Sequence, residues 1–215
     1  MTEGDALRVC VMEVGPLVVN AYIVATTSSK KAVIVDPGDD GDAILREVRD
    51  RGLSVEKILL THGHFDHVGA VRLLREKTGA PVHIHAEDAS RMATARRQGL
   101  MFGLSVDDPP PPDVIVGEGD RIGFEGHEFR VVHTPGHTPG CVSYLCGRMA
   151  FVGDLIFAGS IGRTDLPGGS HERLLESVRE KIFVLPDDTV IFPGHGPSTT
   201  VGEEKRSNPF FTGEL

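Results

Sequence analysis

The hydrophobic positions in the first half of the chain predict a strand-rich block followed by helices. Apolar, β-branched runs bounded by turn residues predict strands over residues 7–15, 19–26, 31–38, 55–61 and 80–88. Apolar residues at helical spacing predict helices over residues 42–52, 69–79 and 89–99. The strand over residues 55–61 leads into the stretch "THGHFDHVGA", which places these side chains at the carboxyl end of a buried strand, where open α/β sheets bind ligands.

A second strand-rich block follows "DDPPPPD", a stiff connection whose prolines cannot donate to a sheet ladder. Apolar runs predict strands over residues 127–136, 141–147, 149–159 and 189–196. Between the last two strands, a helix is predicted over residues 171–185. A final helix begins near Thr200, because Thr200 and Glu203 have the spacing of a capping box.

The order of elements predicts a mixed α/β (α+β) architecture. Each of the two blocks contains several strands and then helices, and two mixed sheets packed together with helices outside satisfy this order. A chain of 215 residues can form one sizeable core, so a single domain over residues 1–215 is expected.

Composition and charge exclude several classes of protein. The net charge of −9 and the absence of a long basic run argue against a nucleic-acid partner. The amino terminus is acidic and lacks a continuous apolar stretch, and no segment reaches membrane-spanning length, so no membrane partner is expected. The three cysteines suggest neither a disulfide framework nor a thiolate zinc site, and a cytoplasmic location is predicted.

The stretch "THGHFDHVGA" concentrates metal-capable side chains within six positions. His62 and His64 project to the same side of an extended segment and can share one ion. Asp66 and His67 are adjacent where the chain turns into a helix, so they are placed to reach a second ion. Ordinary surface histidines are the alternative, but four clustered ligands at a strand-to-helix junction favour a metal site.

Later strand ends offer the remaining ligands: His137 in "HTPGHTPG", Asp154 in "FVGDL" and His195 in "FPGHGP". Asp154 follows an apolar run, a costly place for an unpaired carboxylate, and a position between two cations explains it. His133 and Asp36 are candidates to orient a ligand from outside the metal shell, although Asp36 can equally be a turn residue. The remaining histidines are predicted to have no metal role: His83, His85, His127 and His171.

The motifs "THGHFDH", "TPGHTPG", "FVGDL" and "PGHG", in this order, resemble those of the metallo-β-lactamase fold superfamily. The stretches "GSIGRTDLPGG" and "GEEKRSNPFF" are similar to its glyoxalase II (hydroxyacylglutathione hydrolase) branch, in particular the short bacterial type without the C-terminal helical region. The resemblance implies a four-layer αββα sandwich. It also implies a first metal ion held by His62, His64 and His137, a second held by Asp66, His67 and His195, and Asp154 bridging the two.

The resemblance implies a metal-dependent thioesterase that cleaves a small-molecule thioester such as S-lactoylglutathione. Two divalent ions, zinc first and iron or manganese as alternatives, can generate a bridging hydroxide at neutral pH, and Asp66 orients that nucleophile. A thiol has a pKa of about 8.5 and departs without a dedicated general acid. Arg163 is a candidate for binding a substrate carboxylate, and its alternative role is a structural pair with Asp165.

Other functions remain open from the sequence. A persulfide dioxygenase shares the fold and a "GRTD" stretch but uses one iron held by two histidines and one aspartate, and Cys141 matches that group. Against it, "PGHGP" around His195 resembles the hydrolases. A lactonase, an RNA-processing enzyme and a non-enzymatic metal-binding protein are weaker alternatives.

Overall fold

Two mixed β-sheets of six strands each form the centre of the protein, whose computed structural model describes residues 5–213. The first sheet contains, in spatial order, β1 (Leu7–Val14), β2 (Val19–Thr26), β3 (Lys31–Val35), β4 (Ser54–Leu59), β5 (Val82–His85) and β6 (Val114–Val116). The first three strands are antiparallel, and β3 to β6 run parallel. The carboxyl ends of the four parallel strands therefore meet at one edge.

The second sheet consists of β7 (Arg121–Phe124), β8 (His127–His133), β9 (Val142–Cys146), β10 (Met149–Gly153), β13 (Val190–Pro193) and β14 (Thr199–Thr200). Its spatial order is β14-β13-β10-β9-β8-β7, and β10 and β13 are parallel. A separate hairpin joins β11 (Ile156–Phe157) to β12 (Ser160–Ile161).

Helices accompany both sheets. Those of the first half are α1 (Gly41–Asp50), α2 (Phe65–Val68), α3 (Val71–Thr78), α4 (Ala86–Met92) and α5 (Ala95–Met101). Those of the second half are α6 (His171–Ser177), continued by a π-helical segment (Val178–Ile182), α7 (Val201–Ser207) and α8 (Pro209–Thr212). No helix described between residues 5 and 213 combines the length and the apolar character needed to cross a membrane.

Three apolar clusters give the layers. The central cluster joins Val24 and Val33 of the first sheet to Val131 and Tyr144 of the second. An outer cluster packs the buried faces of α1 and α3 on the first sheet, and another packs α6 and the π-helical segment on the second. Helices, two sheets and helices are thus stacked in sequence, and the predicted αββα sandwich is confirmed.

The predicted helix over residues 89–99 is wrong in its bounds, because α4 and α5 are separate helices divided at Ala93 and Thr94. At the division, the Gln98 side chain donates to the carbonyl of Arg91 at 2.7 Å and accepts a hydrogen bond from the distant Phe65 backbone N–H at 3.3 Å. The predicted strand over residues 149–159 ends at Gly153, whose φ of 53° turns the chain out of the sheet.

The strands β6 and β7 were not predicted, because each spans only three or four residues and half or more of their positions are exposed. The predicted beginning of a helix near Thr200 is confirmed, but this helix is not the final one, because α8 follows it. Thr200 precedes α7, and its hydroxyl accepts a hydrogen bond from the backbone N–H of Glu203 at 3.2 Å.

Candidate metal centre

Seven side chains from both sheets converge at the edge formed by the carboxyl ends of the strands. His62 and His64 follow β4, and Asp66 and His67 lie on α2. His137 lies in the loop between β8 and β9, Asp154 follows β10, and His195 follows β13. The structure therefore brings together all seven residues predicted to be ligands, although they are separated by up to 133 positions in the chain.

Three buried histidines form the first group. The ligand atoms of His62, His64 and His137 lie within 4.8 Å of one another, and His64 Nδ1 is 2.8 Å from His137 Nε2. Both nitrogens belong to imidazole rings whose lone pairs suit a divalent transition metal.

The second group combines one carboxylate and two histidines. Ligand atoms of Asp66, His67 and His195 also lie within 4.8 Å of one another. The Asp66 carboxylate oxygen Oδ2 is 3.9 Å from His67 Nε2 and 3.6 Å from His195 Nε2. This donor set is typical of sites for zinc, iron or manganese.

Asp154 lies between the two groups. Its Oδ1 is 3.3 Å from His67 Nε2, and its Oδ2 is 3.6 Å from both His137 Nε2 and His195 Nε2. A single carboxylate therefore faces ligand atoms of both groups, as the sequence prediction of a bridging position requires.

Three buried polar atoms of the cluster have no hydrogen-bond partner within the described part of the chain: His62 Nε2, His67 Nε2 and Asp154 Oδ1. Buried side-chain nitrogen and oxygen atoms are ordinarily hydrogen-bonded, so each such atom needs an explanation. Their convergence on one small region fits bound metal, which would satisfy all three lone pairs.

Two histidines of the first group, His62 and His64, are held neutral. Burial lowers the pKa of His62 well below its ordinary value, and the neighbouring imidazoles lower it further. Burial likewise lowers the pKa of His64 to about 3. Because a metal binds the neutral imidazole, these two rings are already in the protonation state of a ligand.

The second group carries mutually compensating charges. Burial alone disfavours charge on His67, yet the carboxylates of Asp154 and Asp66 outweigh it and hold the His67 pKa well above its ordinary value. Burial would also raise the pKa of Asp66 and Asp154, but the charge of His67 outweighs it and lowers both. The paired carboxylates therefore stay ionised next to a positive charge, an environment that equally suits a cation.

Asp36 holds the second group in place from behind. Its carboxylate accepts hydrogen bonds from the Thr61 backbone N–H at 2.8 Å and the Thr61 hydroxyl at 2.6 Å, and it lies 3.1 Å from His67 Nδ1. The residue adopts a φ of 49°, which is uncommon outside glycine and is found at functional sites. Its position agrees with the predicted orienting role rather than with that of a simple turn residue.

The Arg163 region has two different contacts with the site. Its backbone carbonyl lies 2.7 Å from His137 Nδ1, which leaves Nε2 of that ring for the metal side. Its guanidinium pairs with Asp165 at 2.7 Å, and both side chains are more than half exposed. The structure thus contains the Arg163–Asp165 pair that was the alternative to substrate binding.

His133 was predicted to orient a metal ligand, but its side-chain contacts described between residues 5 and 213 are with other residues. Among the described residues, its ring nitrogen Nε2 pairs with the carbonyl of Pro139 at 2.8 Å, and the ring stacks on His85 at 4.5 Å. The first contact holds the loop that carries His137 and the second joins the ends of β8 and β5, so His133 lies one layer further out than predicted.

Asp88 is a functional residue that the sequence interpretation missed. It is fully buried, and its carboxylate accepts hydrogen bonds from Gly63 N–H, the Thr138 hydroxyl and Gly140 N–H. Asp88 therefore ties the two loops that carry the first group of histidines. The only sequence signal was an acidic residue four positions before Met92, on the buried face of a helix.

A cavity of about 390 Å³ opens onto the cluster. One wall is apolar and consists of Leu17, Phe65, Met101, Phe102, Leu166 and Pro167. Phe65 and Phe102 stack at 5.3 Å, and Met101 and Phe102 remain substantially exposed. Arg91, Gln98 and Arg163 provide the polar lining outside the seven clustered residues. The cavity can therefore hold an amphipathic molecule against the cluster.

Fold and site together define an αββα protein with a buried histidine and aspartate cluster of the metal-binding type. The chain belongs to the metallo-β-lactamase superfamily, whose sequence model matches residues 14–195.

Similar sequences include the probable metallo-hydrolase YqgX of Bacillus subtilis (strain 168), which is 40% identical over 206 residues, covering 94% of this chain and 96% of that protein. The hydroxyacylglutathione hydrolase GloC of Haemophilus influenzae is 40% identical over 185 residues, covering 84% of this chain and 87% of that protein. These matches support a metal-dependent hydrolase.

Similar solved structures include the BLEG-1 B3 metallo-β-lactamase, with 38% identity, a TM-score of 0.89 and coverage of 95% of this chain and 100% of that one. TTHA1623 in a di-iron-bound form has 42% identity, a TM-score of 0.86 and coverage of 94% and 99%. ETHE1 from Myxococcus xanthus has 30% identity, a TM-score of 0.82 and coverage of 96% and 85%.

Proposed function

We propose that the protein is a thioester hydrolase of the hydroxyacylglutathione hydrolase type, which cleaves a substrate such as S-lactoylglutathione to D-lactate and glutathione. Two divalent ions would be held by the groups described above, the first by three histidines and the second by Asp66, His67 and His195. The observation that carries the proposal is the position of Asp154, whose two oxygens face both groups.

Bound divalent cations supply a water activated for attack at neutral pH and polarise a carbonyl oxygen. The protein's own groups orient the reactants. Asp66 is partly open to the cavity and lies beside His195, so its free carboxylate oxygen can accept a hydrogen bond from the attacking water. Asp36 lies beside His67 Nδ1 and so fixes the orientation of the His67 ring within the second group.

The leaving group also fits a thioester. The cavity lining described above contains no side chain placed as a dedicated general acid except the clustered residues themselves. A thiolate departs without protonation, since its conjugate thiol has a pKa of about 8.5, whereas an amide nitrogen requires a proton. The similarity to GloC supports the same reaction class.

The ligand chemistry restricts the metals to a few transition-metal ions. Imidazole and carboxylate ligands accept zinc, iron and manganese. We propose zinc as the usual occupant; the similarity to TTHA1623, solved in a di-iron-bound form, supports iron as the alternative.

The test is thiol release from S-lactoylglutathione by metal-loaded protein, followed with a chromogenic disulfide reagent. Asp66→Ala is expected to reduce kcat by about 100-fold or more, as removal of a proton-handling group typically does. Asp42→Ala is the control, because Asp42 is exposed on α1, away from the cavity. Equal rates for wild type and Asp66→Ala would contradict the proposal.

A persulfide dioxygenase is the second candidate, supported by the similarity to ETHE1. Its chemistry requires oxygen, so oxygen uptake with glutathione persulfide is measured on the same preparation. Cys141, which motivated this alternative, is buried against Thr138, and burial raises the pKa of its thiol. If the protein takes up oxygen, holds one iron per chain and releases no thiol from the thioester, the dioxygenase replaces the hydrolase as the proposed function.

Hydrolysis of a chromogenic β-lactam is assayed in parallel because of the similarity to BLEG-1.

A further inference from the structure

Arg91 is a cationic residue at the cavity wall that the proposed hydrolysis does not yet use. It lies on α4, its side chain is 21% exposed, and it lines the cavity beside His64. Its Nη2 donates to the carbonyl of Pro167 at 2.9 Å, which fixes the direction of the guanidinium. Gly168 permits this approach, because a Cβ there would lie 3.2 Å from Arg91 Nη2.

Among residues 5–213, no carboxylate lies within hydrogen-bond distance of the Arg91 guanidinium. The nearest is Asp88, whose Oδ2 is 3.9 Å from Arg91 Nε, beyond hydrogen-bond distance. That carboxylate already accepts hydrogen bonds from Gly63, Thr138 and Gly140. Arg163, the other guanidinium at the cavity, differs because its Nε and Nη2 form a bidentate pair with the Asp165 carboxylate. Of the two guanidinium groups that line the cavity, Arg91 is thus the one whose charge is not paired with a carboxylate at hydrogen-bond distance.

The contact between Arg91 and His64 indicates where the ligand binds. Arg91 Nη1 lies 3.5 Å from His64 Nε2. His64 Nδ1 points to the first group, 2.8 Å from His137 Nε2, so coordination through Nδ1 leaves the proton on Nε2. Two donors then face each other without an acceptor between them, and an anionic oxygen is the group that satisfies both.

We infer that Arg91 Nη1 and His64 Nε2–H form a subsite for a carboxylate of the substrate, next to the metal centre, with the apolar wall holding the rest of the molecule. This inference rests on the proposed function and specifies its substrate class: thioesters whose thiol or acyl portion carries a carboxylate. Arg91 is a specificity-determining residue in this account, and the neutral analogue of the same substrate binds without its help.

The experiment measures binding, so that it does not depend on turnover. S-Benzyl-N-acetylcysteine and its carboxamide are non-hydrolysable probes that differ only in the carboxylate, and each is titrated calorimetrically into zinc-loaded protein. Wild type is expected to prefer the carboxylate by about 10- to 100-fold, the range for a hydrogen bond to a charged group. Arg91→Met is expected to abolish this preference, and Arg91→Lys to retain part of it.

Arg97→Met is the matched control, because Arg97 is an exposed arginine on α5 outside the cavity lining. It is expected to keep the wild-type preference. The zinc content of every variant is measured; if Arg91→Met loses zinc, Arg91→Lys alone decides, with a reduced preference supporting the subsite. No preference in wild type, or an unchanged preference in the Arg91 variants, overturns the inference.

Thioester hydrolysis by wild type, assayed on the same preparations, separates the two claims. Absence of hydrolysis together with an Arg91-dependent carboxylate preference refutes the proposed function and leaves the subsite standing. Hydrolysis without such a preference does the reverse.

Discussion

At the scale of single residues, the site depends on side chains that hold other side chains. His62 and His64 supply nitrogens that can bind metal. Asp36 and Asp88 hold the segments that carry these histidines through hydrogen bonds to Thr61 and Gly63. Both supporting carboxylates are buried and accept two or more hydrogen bonds. Removal of such outer partners typically lowers metal affinity or activity by about 10- to 100-fold.

Asp36→Asn is expected to weaken binding at the second metal position by about 10- to 100-fold, because an amide is a poorer acceptor for His67 Nδ1 and carries no charge. Asparagine tolerates the φ of 49° at this position, so the backbone is retained. Competition with a chromogenic chelator measures the affinity. Asp42→Asn on α1 is the control, and an Asp36→Asn affinity equal to that of wild type would contradict the orienting role.

The clustering of the candidate ligands was predictable from the sequence, whereas the residues that support them were only partly so. His62, His64, Asp66 and His67 are adjacent in the chain and follow a strand, so their chemistry is visible as a pattern. Asp88 and Arg91 lie in a helical stretch without a motif, and their roles depend on contacts with Gly140 and Pro167, which come from distant loops. Contacts of this kind arise only from the tertiary fold.

At the scale of elements, the centre depends on the close approach of strand ends. The loop after β13 passes directly over Asp154 and His67: a Cβ added at Gly194 would lie 2.2 Å from Asp154 Oδ1 and 2.6 Å from His67 Cε1. A Cβ added at Gly153 would lie 2.2 Å from the Thr61 hydroxyl oxygen, and the φ of Gly153 is 53°. These glycines bring the two sheets together at the cluster.

Gly194→Ala is expected to displace Asp154 or His67 and to lower the free energy of unfolding by about 1–3 kcal/mol, the usual cost of overpacking. Metal content falls with it. Denaturant unfolding and metal analysis measure the two effects. Gly123→Ala on β7 is the control, since no atom lies within 4 Å of its added Cβ. Full metal content in Gly194→Ala would show that the strand ends can separate without loss of the site.

Elements with strong periodicity were predicted well, and elements defined by contacts were not. The continuous apolar runs of β2 and β3 are buried nearly throughout and needed no further information. The break between α4 and α5 was missed because the pattern of residues 89–99 is helical, while Gln98 and Arg91 interact across the break. Tertiary contact overrode local preference at this position.

At the scale of the whole molecule, the proposed metal centre would connect the two halves of the sandwich. His62, His64, Asp66 and His67 belong to the first block, whereas His137, Asp154 and His195 belong to the second. Because each metal position draws ligands from both blocks, bound metal stabilises the folded arrangement of the two sheets relative to the unfolded chain.

Metal removal is therefore expected to lower the melting temperature. A metal at 1,000 times its Kd adds about 4 kcal/mol per site. For a protein of this size that corresponds to a loss of about 8–16 °C for each site on chelation. Scanning calorimetry with and without a chelator measures the change. The double variant His62→Ala and His67→Ala is expected to melt at the same temperature with and without the chelator. A shift in melting temperature as large as that of wild type would show that the stabilising metal binds elsewhere.

The number of ions per chain is the most direct test of the central claim, a two-metal centre built from seven residues. Native mass spectrometry of protein loaded with zinc and then desalted measures this number. The account predicts two ions in wild type and one in His195→Ala, because that substitution removes a ligand of the second position only. A single ion in wild type, unchanged by His195→Ala, would contradict the account.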